Sequence, residues 1–463
     1  MHDVVIKRGR VIDYATGTDT LADVAIERGV IVAVESSIEG RARRELDADG
    51  LLVLPGLVDL HVHLSQEFGG AAGHAMLARA GVTTALDLGT LSTADVRSIA
   101  DIAGTGLTVG CVVRLMPGVH VSKTPTRAEI KRALQREISD GALGVKIHID
   151  AGWTIESAAL IAEVAHDLNA WTAIHCGTVN TASNLAGLKE AIDYLDGKPA
   201  QLAHINSYCR GDLSAPESEA AQAIEMLRAA PQLFSESYLS EWNGNIAECA
   251  DGLPVVARVS GWLVAGGFAG TQAGLRDAII AGYAAIPVPT GDDLVLTSGE
   301  EGVIAWEDAD TKTALCLPIN PAGSRLPLAW SKNESGAFDV SAIATDGGAI
   351  PRNVTVSAGL HLVELGAMTL PELVKKASWT PAQTLGLTRK GSIAPSNDAD
   401  ICLVDPNAHR VVTTIAEGRI AFDGNAVSKL PVTHMSHQDS EPRRGDLRVD
   451  VSSSGLFTRA GRR

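Results

Sequence analysis

Eight short apolar runs, most of them separated by stretches of helical periodicity, fill the middle of this 463-residue chain. They read GLVDLHVHL, VTTALDL, LTVGCVVRL, ALGVKIHI, AWTAIHC, AQLAHIN, QLFSESYL and SAIATD, with helical stretches such as ESAALIAEVAHDLN and SEAAQAIEMLRAA between them. Strand-like runs alternating with helices are the signature of a parallel βα architecture. Eight of them are what a closed (β/α)8 barrel, a TIM barrel, requires. The long interval from about Asn243 to Asp339 parts the seventh run from the eighth and includes GTQAGLRDAIIAGYAAI. An interval of that size is expected to be an insertion with structure of its own.

The chain ends have a different texture. VVIKRGRVID, DVAIERGVIVAVE and LLVLPG near the start, and ADICLVDP and HRVVTTIAEGRIAFDGN near the finish, alternate apolar and polar residues like half-buried antiparallel strands. The expected organisation is a small β-sandwich built from 1–54 plus 388–431, and a barrel over 55–387 carrying an insertion at about 243–339. The polar stretch 432–463 reads as a C-terminal tail, disordered or wrapped on a neighbouring subunit.

Charge and composition exclude several function classes. A formal net charge of −16 disfavours nucleic acid and anionic membrane surfaces, both of which select basic faces. The six cysteines are scattered without C-x-x-C spacing and read as reduced thiols. The N-terminus begins in strand-like alternation without a signal-peptide stretch, and no apolar run reaches the ~18 residues of a membrane span. A cytoplasmic, homo-oligomeric enzyme with a small-molecule substrate, and with neither nucleic-acid nor membrane partners, is the expectation.

Polar residues close several of the apolar runs. His61 and His63 lie two apart in LHVHL, so on a strand both imidazoles face the same side and can reach one metal. Lys146, His175, His204 and Asp346 end later runs in the corresponding position. In a parallel barrel those ends converge on the face where active sites lie. Singly, each has a bland reading as a packed histidine or a salt-bridged lysine. A lysine in an apolar strand is nevertheless costly without a partner, and six polar residues in matching positions point together to a metal centre.

On these motifs the chain resembles the amidohydrolase superfamily over nearly its whole length. LPGLVDLHVHL is similar to the family's first-strand metal motif, AGVTTALDLGT to its second strand, and SWTPAQTLGL with KGSIAPSNDADICLVD to its return into the β-domain. ALGVKIHID sets Lys146 where binuclear members carry a carboxylated bridging lysine, which implies a carbamate formed with CO2. GVKIHIDAGWT and AIHCGTVNTASN are similar to stretches of the urease catalytic subunit. SESYLSEWNGNIAECADG has no flap histidine, however, which implies a urease-like relative rather than urease. Hydantoinases and dihydroorotases share the ligand set.

The resemblance implies two divalent metal ions, zinc first, with nickel, cobalt or manganese as alternatives. His61, His63 and Asp346 would hold one, His175 and His204 the second, and carboxylated Lys146 with a hydroxide would bridge them. Asp346 would act as general base and then general acid. The expected reaction is C–N cleavage of a cyclic amide, imide or urea-type molecule. The alternatives are hydrolysis of a linear amide (an N-acyl amino acid, dipeptide or carbamate) and a non-catalytic scaffold on the same fold. Substrate contacts are expected from His148, Asn206, Tyr208, Arg210 and Arg352, with Ser207 and the segment 236–242 also at the pocket. Arg210 or Arg352 is suited to grip a substrate carboxylate.

Overall fold

The computed structural model describes residues 1–66, 69–291 and 293–459. Its central sheet contains all eight expected strands: β1 (Leu57–His63), β2 (Val82–Thr90), β3 (Thr108–Arg114), β4 (Gly144–His148), β5 (Trp171–His175), β6 (Gln201–Leu202), β7 (Phe234–Ser237) and β8 (Ala342–Ile343). They are parallel and lie side by side in chain order. β8 pairs with β7, and four residues further on Gly347–Gly348 pair with Val62 and His63 of β1, closing the ring. The last run is therefore split, and Asp346 sits in the gap with its N–H donated to the His61 carbonyl at 2.8 Å.

The helices between strands end where local chemistry ends them. Arg127–Asp140 starts with a capping box of Thr126 and Glu129 and stops at Gly141, whose φ of 117° places it in the left-handed region. Thr154 caps Ile155–Asp167, so β4 hands over to its helix within a few residues. Such short turns hold the carboxyl ends of the strands in a fixed ring.

Both chain ends contribute to a second, eight-stranded sheet. The long strand His2–Asp13 pairs antiparallel with Thr18–Glu27 on one side. On its other side it pairs first with Ala42–Asp47 and then with Leu52–Val53. Leu52–Pro55 in turn carries Ile401–Asp405, which joins the C-terminal strands. Ile6, Val24, Ile26, Val53, Ile401 and Ile415 form one apolar core beneath them.

Two segments behave differently from simple loops. Between β7 and β8, the strand Asn243–Ile246 pairs antiparallel with Ala314–Leu317 and ties off an inserted unit at its base. That unit has its own core of Leu263, Ile279, Trp306 and Leu317. The stretch from Val432, expected as a tail, is instead docked on the barrel. Thr433–His437 pairs with the start of β3, and Met435, Val449, Val451 and Leu456 are buried. Its apolar residues are too sparse to show a period. Backbone pairing and polar contacts such as Arg97–Asp446 hold it, and these leave no periodic trace. Its last four residues lie outside the described residues. All six cysteines are unpaired. No helix among the described residues is long and apolar enough to cross a membrane.

Candidate metal centre and active-site cavity

Period-two alternation on β1 turns Asp59, His61 and His63 to the barrel interior. His61 is buried on every side. Its Nδ1 meets Glu236 Oε1 of β7 at 2.7 Å, while its Nε2 faces Lys146 Nζ at 3.0 Å and Asp346 Oδ1 at 3.2 Å. His63 Nε2 lies 3.0 Å from the same Asp346 oxygen. Across the ring, His204 Nε2 lies 3.0 Å from His175 Nδ1, and the rings of His61 and His204 stack with centroids 5.2 Å apart. Donor atoms of His61, His204 and Asp346 all fall within 4.8 Å of one another. The structure thus gathers all six residues singled out from the strand ends.

The backbone is unusual at two of them. His204 has φ 34° and Asp346 φ 50°, in the left-handed region that non-glycine residues seldom adopt. Gly348, two residues after Asp346, has φ 80°, and a Cβ there would lie 2.4 Å from the His63 carbonyl oxygen. A glycine is required for the last run to close this tightly on β1.

Electrostatics favour neutral imidazoles. Burial pushes His61, His148 and His175 well below the usual histidine range and His204 down to about 3. A neutral ring is the form that binds a cation. The Glu236 contact also sets the tautomer: with Nδ1–H donated to the carboxylate, His61 keeps the Nε2 lone pair for the centre. Burial lowers the Lys146 ammonium to about 8 against the opposing pull of Asp346 and Glu236. Lys146 donates to the Leu88 carbonyl at 2.8 Å. The Nδ1 of His204 and Oε2 of Glu236 are buried without a hydrogen-bond partner among the described residues. Orphaned polar atoms beside a set of imidazole and carboxylate donors fit a site made for cations.

Above the cluster opens a cavity of about 510 Å³. Of the expected substrate contacts, His148, Arg210 and Arg352 line it together with Ser207, and so do Asn243 and Trp262 of the insertion. Arg352 is already engaged, pairing with Asp346 Oδ2 at 2.7 Å. Among the described residues Arg210 meets only neutral acceptors: Asn320, Ser207, Tyr238 and Asn243 at 3.0–3.1 Å. Its Nη1 makes no hydrogen bond among the described residues.

Asn206 and Tyr208 stand behind the cavity wall instead. Both are fully buried; Asn206 accepts the Tyr238 N–H, and Tyr208 accepts the Cys176 N–H at 2.9 Å. A short 3-10 turn over Ile205–Tyr208 turns them into the core, where a strand continuation would have brought them to the mouth. Residues 236–240 are likewise buried, Glu241 is exposed and Trp242 half-buried, and the lining begins only at Asn243. Asp59 and Glu236 were missed as parts of the centre. Asp59 binds the Thr345 hydroxyl at 2.6 Å and the His61 N–H at 3.1 Å, fixing both ends of the barrel seam. Strand alternation in VDLHVH and FSES was the available signal for them.

A barrel that converges imidazoles, a carboxylate and a buried lysine on one cavity defines a class, the metal-binding hydrolases of this fold. The model of the Amidohydrolase family matches residues 52–206 and 319–428, and the chain belongs to that family. The unmatched interval contains β7 and most of the insertion. A dihydroorotase of Streptococcus pneumoniae serotype 4 is 25% identical over 429 residues, covering 88% of this chain and 92% of that protein. An allantoinase of Rubrobacter xylanophilus is 41% identical over 91 residues, 19% of each chain. Among solved structures, an N-acyl-D-glutamate deacylase of Bordetella bronchiseptica, complexed with zinc, superposes with a TM-score of 0.68 at 16% identity. That match covers 93% of this chain and 98% of the other. A D-hydantoinase of a Bacillus species gives 0.59 at 16% identity, with the same coverage.

Proposed function

We propose that the chain hydrolyses a C–N bond in a cyclic amide, imide or urea-type small molecule that carries an anionic substituent. The observation that carries this reading is the convergence of six metal-type donors from five different barrel segments beneath one cavity. His61, His63 and Asp346 would hold one divalent cation, and His175 and His204 the other. Lys146 would lie between them as the carbamate, its neutral amine accessible to CO2 because burial brings the ammonium to about 8. Zinc suits this donor set, with nickel, cobalt and manganese as competitors. Such ions, when bound, lower the pKa of water and polarise a carbonyl.

The chain's own groups do the rest. Asp346 has one oxygen anchored on Arg352 and the other facing the histidines. It is thereby aimed to accept a proton from the attacking water and pass it to the leaving nitrogen. Arg210, which has no carboxylate partner among the described residues, would hold the substrate's negative group through its Nη1 edge. The relatives named dihydroorotase, allantoinase and hydantoinase support the cyclic class.

Metal analysis coupled to a substrate screen tests the reading. The expected result is two ions per chain held by the barrel-mouth residues and turnover of five- or six-membered ureide rings. Metal-free protein, or a preference for linear N-acyl amino acids, overturns it. For the anionic substituent, Arg210→Met should lower kcat/KM for a ring carboxylate about ten- to a hundredfold, the range of a lost charge-assisted hydrogen bond. The matching neutral carboxamide should be turned over unchanged. Equal losses on both would remove Arg210 from substrate recognition.

A further inference from the structure

Outside the barrel-mouth cavity, two histidines and a glutamate meet where the barrel touches the end sheet. His361 and Glu364 lie three apart in the last turn of the helix Thr355–Glu364, so they share a face. His409 sits in the turn between strands Ile401–Asp405 and Arg410–Ala416. One donor atom from each falls within 4.8 Å of the others. His409 Nε2 lies 2.8 Å from Glu364 Oε1, and the two imidazoles stand edge to face with centroids 4.3 Å apart.

Each donor is oriented by its own surroundings. His361 Nδ1 is 2.7 Å from the Ser357 carbonyl, which fixes the tautomer and leaves Nε2 free as a ligand. Asp405 accepts the N–H groups of Asn407 and Ala408, holding the turn that presents His409 with φ 49°. The His409 side chain is only 14% exposed against 60% for Glu364, so one ligand is anchored and another can adjust. A histidine–glutamate pair alone would explain neither the second imidazole nor its fixed tautomer. Tetrahedral zinc with bonds of about 2.0–2.1 Å needs ligand atoms roughly 3.4 Å apart. From 4.8 Å or less that is a small rotation of the exposed side chains.

We propose that His361, Glu364 and His409 form a separate surface site for a zinc-type dication, which clamps the helix after the last barrel strand to the end sheet. Water completes the fourth position. The site is independent of the hydrolytic reading, since none of the three residues lines the cavity.

Zinc titration of the full chain against a chromophoric chelator tests the proposal, using wild type, His361→Ala and His409→Gln. Each variant is expected to bind one zinc fewer than wild type and to lose part of the zinc-induced rise in Tm, while turnover stays unchanged. Because the two substitutions lie on different elements, misfolding of one leaves the other as the test. Equal stoichiometry and equal thermal response in all three proteins overturn the proposal. So does loading of the extra ion only at millimolar zinc, which is an adventitious ion only.

Discussion

In the end sheet, Lys390 and Asp400 have side chains each 2% exposed and meet at 2.7 Å, and the second Asp400 oxygen accepts the Glu417 N–H at 2.8 Å. Asp13 is just as buried and accepts from the Ser392 hydroxyl and from the N–H groups of Ile393 and Ala15. In the barrel mouth, Lys146 has a carbonyl and an imidazole for company, Glu236 leaves one oxygen unpaired, and His204 and Asp346 hold left-handed backbones. Both regions bury charge in a sheet, and only one satisfies it. Complete satisfaction marks groups that serve the fold, whereas charge left incomplete inside a rigid frame marks groups waiting for a ligand.

The comparison is broken most severely at Lys146. Lys146→Met should abolish turnover by at least about four orders of magnitude, because what is lost is the lowering of water's pKa from 15.7 towards about 7. Bound metal should fall by one or both ions. Metal-free Tm should not drop, since a poorly paired buried ammonium has been removed. A variant that keeps its metals and its turnover would make Lys146 a structural residue. Asp400→Ala is the mirror case. Among the described residues it leaves the buried ammonium only the longer pairings to Asp398 at 3.5 Å and Glu417 at 4.0 Å. It should cost about 1.5–3 kcal/mol in chemical denaturation, the range of a lost hydrogen bond to a charged group, with kcat of the folded protein unchanged. A loss of kcat there would tie the end sheet to catalysis.

The sequence carried the barrel because parallel strands are buried on both faces and announce themselves as apolar runs. The metal-type residues were legible for the same reason: His61, Lys146 and Asp346 interrupt those runs at one recurring position. What stayed hidden depends on a change of backbone direction. A 3-10 turn after His204 took Asn206 and Tyr208 into the core, and nothing in HINSYCR encodes it by period. Glu236 was legible only as a residue near the pocket, because its partner lies 175 positions away. Docking of the C-terminal segment rests on backbone pairing with β3 and on a few widely spaced apolar residues such as Met435 and Leu456, which form no period that a hydrophobic pattern could show.

Glu236→Gln probes a smaller step. The amide can still accept from His61 Nδ1 but lacks the charge that raises the basicity of Nε2. Metal affinity by chelator competition should therefore fall about tenfold, the low end of what losing an outer partner costs. No change would mean that hydrogen bonding alone orients His61.

The smallest effect belongs to the satisfied side of the comparison. Burial works to raise the Asp23 carboxyl, but the N–H groups of Ile38 and Arg8 and the ammonium of Lys7 outweigh it and hold the pKa below the ordinary value. A carboxyl with a depressed folded pKa contributes stability that is fully present above its unfolded pKa and is lost as pH falls through the folded one. Asp23 should therefore support the end sheet throughout the neutral range and surrender that support only below about pH 4. Asp23→Asn should lower Tm at pH 7 and flatten its decline between about pH 4 and 2, read by thermal melts across that window. A variant whose Tm falls with acid as steeply as the wild type would show that other carboxylates govern the acid response of the sheet.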